Sequence, residues 1–137
     1  MNLSALSPEL LTAYRRNIGY LEEQDFLLEE LTIAQNIDLP LRIQKWKKEE
    51  RAKRVAHLLS LGDLLYKASS TPSMLSESER RKVSFFRAIA PRPKILLLTN
   101  PPEDIGSLLK VLHEEGTTIL FTSENADLPR KLGARTI

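Results

Sequence analysis

The chain has no cysteine among its 137 residues. That excludes a disulfide framework, thiol catalysis and a cysteine metal site. Glycine is scarce too: the five glycines, at positions 19, 62, 106, 116 and 133, are all isolated from one another. Nowhere do they form G-x-x-x-x-G-K-[ST], so the sequence holds no such loop to cradle phosphates with backbone N–H groups. Aromatic residues make up only 6% of the chain. No basic stripe alternates with them, which argues against base-stacking modes of nucleic-acid binding. Neither sign of charge dominates, with 20 Lys plus Arg against 18 Asp plus Glu, interspersed along the chain. No apolar run approaches membrane-spanning length, and the N-terminus lacks the apolar core of a signal peptide. These absences predict a cytosolic protein of one domain that meets a membrane only through a partner.

What is present is organised around Leu75 to Pro102, LSESERRKVSFFRAIAPRPKILLLTNPP. Ser76 is a good N-cap, and Glu79 three residues on completes a capping box. Val83, Phe86, Ile89 and Ala90 then recur at helical spacing and put one apolar face on the core, while Arg80, Arg81 and Arg87 point mostly elsewhere. Pro91 and Pro93 end the helix. Ile95 to Leu98 is a continuous apolar run, which predicts a parallel strand covered by helices on both faces.

Upstream, Ser7-Pro8-Glu9 starts a short helix to about Arg16, and Ile18 to Leu21 reads as a strand. Thr32 and Gln35 form a second capping box, opening a helix that ends near Pro40. Leu41 to Leu61 reads as a charged helical stretch with Ile43, Trp46, Val55, Leu58 and Leu59 as its apolar positions. Its basic run Lys45 to Lys48 is a solvated face. Gly62 stops that helix, a short one follows at 63–66, and 69–73 has loop composition. Downstream, Glu103 and Asp104 favour the positive end of a helix whose Ile105, Leu108, Leu109 and Leu112 form an apolar stripe. Gly116 ends it, Thr117 to Phe121 is the next buried strand, and 125–132 makes a short helix or turn closed by Gly133. His57 and His113 lie on separate helical patterns and read as surface or boundary residues.

The order "LSGGE, helix, RALA, Pro, ILLLDEPT" belongs to the ATP-binding-cassette (ABC) transporter ATPases, and Leu75 to Pro102 resembles it without a gap. In that resemblance Ser76 matches the signature serine, but Glu77 and Ser78 replace the two signature glycines. Thr99 stands in place of the magnesium-linked aspartate and Asn100 in place of the catalytic glutamate. A second stretch, RRNIGYLEEQDFLLEELTIAQNIDLPL, resembles the surroundings of the family's Q-loop, closest to the branch serving lipoprotein release, cell division and macrolide export. Glu23 falls at the glutamine position, with Gln24 after it. GTTILFTSEN resembles "GTTVLxATHD", so Glu124 takes the place of the switch histidine.

The resemblance implies an α/β fold, a partial phosphate-loop NTPase arrangement of parallel strands at about 18–22, 95–99 and 117–122 flanked by helices, with an inserted helical subdomain. One truncated domain spans 1–137, its α/β core part at 1–31 and 91–137 and its helical subdomain at 32–90. The three strands neighbour one another in that order. Ala134 to Ile137 resembles the start of a final strand, which moves in beside 117–122, leaves the edge to a partner chain, or frays. No metal site is expected.

The chemistry implied is degenerate. Thr99 offers one neutral hydroxyl where magnesium chemistry needs charge. Asn100 hydrogen-bonds water without accepting its proton, or simply caps a helix before Pro101. Ser76 to Glu79 keep only a weak trace of a nucleotide-contacting signature, and a plain helix cap is the simpler reading. Glu23, Gln24, Asp25, Phe26, Leu27 and Leu28 occupy the groove that in the family receives a helix of the membrane permease, although Phe26 to Leu28 equally suit packing of the subdomain hinge. The expectation is a pseudo-ATPase subunit, cytoplasmic or peripheral at the inner face of the plasma membrane, partnered by a permease or a competent ATPase. ATP and magnesium are expected only if a partner chain supplies the phosphate loop. The alternatives are one part of a split active ATPase and a decayed fragment without function.

Overall fold

A computed structural model describes residues 17–24, 26–101 and 105–122. The readings made for 1–16, 102–104 and 123–137, and for Asp25 and Glu124, lie outside them. Three parallel strands, β1 (Ile18–Leu21), β2 (Ile95–Thr99) and β3 (Thr118–Thr122), pair in the order β1-β2-β3. This is the order the sequence implied. Between β1 and β2 lie α1 (Ile33–Ile43), α2 (Lys48–Leu61) and α3 (Glu77–Ile89), and α4 (Gly106–Glu114) links β2 to β3.

Both crossovers step in the same direction across the sheet. Because such connections are right-handed, their helices fall on one face. That face carries Leu21, Leu96 and Leu98, all buried, with α3 packed on β1 and α4 on β3. Gly19 permits the close approach of α3: a Cβ there would lie 2.7 Å from the Ala88 carbonyl oxygen and 2.9 Å from Leu96. On the opposite face Tyr20, Ile95 and Leu120 are exposed. Among the described residues the helices cover one face of β2, and burial alternates along the strand. The strand β3 is not a buried one. Its residues alternate between exposed and half-buried because it pairs only with β2 among the described residues.

In α1 the Thr32 hydroxyl accepts from the Gln35 N–H and the Gln35 side chain accepts from the Thr32 N–H, as the capping box requires. The helix does not end near Pro40 but runs through it to Ile43. Losing one N–H bond at a proline is offset by the extra turn, which buries Leu41 completely. The predicted continuous helix from Leu41 to Leu61 is instead two helices. Lys45, at φ 61°, turns the chain between them. Arg51 closes that turn by pairing with Asp38 at 2.9 Å and donating to the Trp46 carbonyl at 3.0 Å. Gly62 ends α2 as expected, while the predicted helix at 63–66 is a single 3-10 turn, Leu65–Lys67.

The apolar face of α3 is wider than the periodic residues alone: Val83, Phe85, Phe86, Ile89 and Ala90 are all buried. Beyond its last turn, Arg54 of α2 donates to the carbonyls of Ile89 and Ala90, each at 3.0 Å, satisfying groups that a helix end leaves open. In α4 Ile105 and Leu109 are buried and Leu108 and Leu112 pack against the core, as the stripe predicted. Gly116 closes α4 at φ 103°, a left-handed position suited to glycine. His57 and His113 are exposed.

Candidate functional site at the carboxyl ends of the strands

In an open parallel sheet the ends of the strands carry the ligand site, because the connecting loops converge there. Here the carboxyl ends of β1 and β2 converge on one side chain. Arg81, in the second turn of α3, donates through Nη1 to the carbonyls of Glu22 and Glu23, the latter at 2.7 Å. Through Nη2 it donates to the carbonyls of Thr99 at 3.0 Å and Asn100 at 2.9 Å. A planar guanidinium with its N–H groups in a fixed fork suits such a clamp, since it can serve two strand ends at once. Glu23, Thr99 and Asn100 are thus brought together through one cation acting on their backbones.

Asn100 adopts φ 45°, a left-handed conformation that asparagine tolerates better than most residues. Its N–H donates to the Thr122 carbonyl at 2.9 Å, extending the β2–β3 ladder by one bond. The helix α4 begins at Gly106 with Ile105 in the capping position. The backbone turn suits an asparagine at position 100, and the cap reading concerns residues 102–104, outside the described residues.

The loop after β1 is pinned from below. Asn36, fully buried in α1, accepts from the Leu28 N–H at 2.8 Å and donates to the carbonyls of Leu28 at 3.1 Å and Thr32 at 3.0 Å. Arg87 donates to the Phe26 carbonyl at 2.9 Å, and Arg80 pairs with Glu29 at 2.8 Å. Those arginines do point away from the apolar core, and they hold the loop. Within the loop Leu27 is buried while Phe26 and Leu28 are exposed, and Glu23 and Gln24 are exposed as well. Of the six docking candidates, Leu27 packs the core, and Asp25 lies outside the described residues.

At the start of α3 the Ser76 hydroxyl accepts from the Glu79 N–H at 3.2 Å, and the Ser76 N–H donates to Glu79 at 2.9 Å. The other Glu79 oxygen accepts from Lys67 at 2.7 Å. The Lys67 hydrogen bond, aided by the Ser76 N–H, holds the Glu79 carboxyl down at about 2. Glu77 and Glu79 therefore place carboxylates at a helix end that would otherwise favour an anion. The Ser76 to Glu79 stretch is a complete capping box. Among the described residues no group of His, Cys, Asp or Glu is arranged to hold a metal ion.

Sequence reasoning missed Asn36 and the clamp by Arg81. A polar residue between Ile33 and Ile37 on the buried face of α1 was a detectable sign of the first. No local pattern marks the second, because the acceptors on the β1 loop are 58 and 59 residues away along the chain.

Residues 2–102 match the family described as ABC transporter. The methionine import ATP-binding protein MetN of Thermobifida fusca (strain YX) is 37% identical over 140 residues, covering 96% of this chain and 44% of that protein. MetN of Brucella abortus (strain 2308) is 38% identical over 144 residues, covering 98% of this chain and 39% of that protein. The chain spans less than half the length of these curated relatives. Among solved structures, the dimeric post-hydrolysis state of the ATP-binding cassette MJ0796 bound to ADP and Pi superposes with a TM-score of 0.84 at 31% identity, covering 96% of this chain and 62% of that one. No helix among the described residues is long and apolar enough to cross a membrane. With its strand order, its loop after β1 and its capped α3 all in place, this chain belongs to the ABC transporter ATPase family and has that family's parallel-sheet fold.

Proposed function

We propose that the chain acts as a catalytically silent cassette subunit, a pseudo-ATPase that binds a membrane permease or a competent ATPase partner and hydrolyses nothing itself. The observation that carries this reading is the end of β2. Thr99 and Asn100 offer no carboxylate there, and the cation of Arg81 bonds their backbones instead. A magnesium ion prefers hard, charged oxygen ligands, and a neutral hydroxyl and an amide do not supply that charge. Loss of a positioned base alone typically costs roughly a hundredfold to ten-thousandfold in rate. The donor set is thus a poor fit to magnesium nucleotide, and in the family resemblance Glu124 takes the place of the switch histidine, an anion that would repel a terminal phosphate.

In this reading the single cassette-like domain divides into a core part at 1–31 and 91–137 and a helical subdomain at 32–90. The exposed Phe26 and Leu28, with Glu23, Gln24 and Asp25, are the residues that dock the permease at the inner face of the plasma membrane. The likeness of the Q-loop stretch favours a permease of the lipoprotein-release, cell-division and macrolide-export branch. The methionine import relatives make a methionine permease the competing partner. Copurification with each permease separates the two.

The test of silence is nucleotide affinity and turnover on the purified chain. Neither binding nor magnesium-dependent hydrolysis is expected. Hydrolysis that disappears in Asn100→Ala overturns the proposal. A second reading is one part of a split active ATPase, favoured by the strand order and the capped α3 that the chain keeps. Restoration of hydrolysis by an added polypeptide carrying a phosphate loop would establish it.

A further inference from the structure

An open groove lies away from the strand ends just described, between α2 and α4 and beside the amino ends of β2 and β3. Its volume is about 680 Å³, within the range of roughly 300–1,000 Å³ usual for small-molecule sites. Its apolar lining is the exposed Leu61 and Val111 and the half-buried Leu108 and Leu112, over a floor of the buried Leu58, Ile89 and Leu96. The charged lining is unbalanced, with Arg54, Arg92 and Lys94 set against a single carboxylate, Glu115. Arg92 and Lys94 form no ion pair among the described residues.

Two further observations mark the basic side of this groove. Arg92 is held at φ 54° between Pro91 and Pro93, in a backbone region that residues other than glycine seldom occupy. Arg54 commits Nε and Nη2 to the end of α3, which leaves its remaining N–H groups without protein partners among the described residues. Burial, then repulsion from Arg92, lowers the Arg54 pKa to about 10, with Glu115 opposing. Two guanidinium groups in mutual repulsion over an apolar floor are an arrangement that a bound anion relieves.

We infer that this groove binds a small amphipathic anion, a carboxylate with an unbranched apolar tail of medium-chain fatty-acid type. The carboxylate sits between Arg54 and Arg92, and the tail covers the accessible side chains of Leu61, Val111 and Leu112. Arginine suits the first role because its N–H fork matches both carboxylate oxygens. The second role follows from the gain on removing apolar surface from water.

The test is an NMR titration of the isotopically labelled full chain with decanoate below its micellar concentration, with decanol as the uncharged control. Saturable shifts are expected at Arg92, Leu96, Val111 and Leu112, with decanol binding at least tenfold more weakly. The double variant Arg92→Ala/Lys94→Ala should weaken decanoate at least tenfold. Val111→Glu, a change at an exposed position on the groove wall, should do the same without disturbing the core. Equal affinity for decanol, undiminished binding in both variants, shifts confined to Tyr20, Leu97 and Leu120 on the open sheet face, or no binding at all each overturns the inference.

Discussion

Leu96 and Leu98 on one face of β2 are 0% and 3% exposed, whereas Ile95 on the other face is 37% exposed, and Tyr20 and Leu120, which flank Leu97 on that same face, are 57% and 48% exposed. Leu120 is the same residue type as Leu96 and Leu98, so hydrophobicity alone does not account for the difference. Topology does: both crossovers run the same way across the sheet, and the right-handed rule puts every connecting helix on one side. An apolar strand is a request for cover, and the order of the strands decides which side receives it.

The sharpest way to break this contrast is Phe85→Ala, which opens a cavity on the covered face where Phe85 is completely buried. Truncating a buried phenylalanine costs about 3–5 kcal/mol, so the variant should be largely unfolded by urea titration or thermal melting. Next comes Asn36→Ala, which leaves the Leu28 N–H without its partner, while the carbonyls of Leu28 and Thr32 keep their bonds from the Leu31 and Asn36 N–H groups. At about 1–3 kcal/mol for an orphaned buried group, stability should fall substantially, and amide exchange should speed up first in the loop after β1.

Ser84 sharpens the comparison by reversing the sign. Its hydroxyl is buried in α3 with no hydrogen-bond partner, in contrast with the fully satisfied Asn36. Ser84→Ala should therefore stabilise the chain by about 1 kcal/mol in the same denaturation assay. A smaller effect, confined to acid, belongs to Glu79. Its carboxyl is held at about 2 against an ordinary 4.5, so the stability it contributes is present above pH 4.5 and lost as pH falls toward 2. Glu79→Gln should flatten the acid side of the stability profile in that window. Smallest of all is Tyr20→Thr on the open face. It keeps strand propensity and removes an exposed ring, so its effect should stay within about 0.5 kcal/mol.

Much of the fold was legible because it rests on local signals. Both capping boxes, at Thr32 and Ser76, are local patterns of hydroxyl and carboxyl or amide spacing, and both formed as read. Gly62 and Gly116 ended their helices, and the stripe of α4 faced the core. The misreadings came where a tertiary contact overrode a local rule. Pro40 did not stop α1 because Leu41 had a place to bury itself. The turn at Lys45 broke an apparently continuous helix because Arg51 closes it with Asp38 and Trp46. At the candidate site, Thr99 and Asn100 stood out by their identity, but Asn100 as a left-handed turn residue did not. Neither did the role of Arg81, whose acceptors lie on strands far from it along the chain.

The sequence by itself determined the elements, their order and the uncharged pair Thr99 and Asn100 at the end of β2, since spacing, capping and side-chain identity are local properties. Only the tertiary structure decided which face of the sheet is covered and that one arginine joins the ends of β1 and β2. It alone placed three cations beside an apolar groove. The physical reason is the same in each case: burial and hydrogen bonding depend on what the chain brings near from a distance, and no window of sequence contains that neighbour.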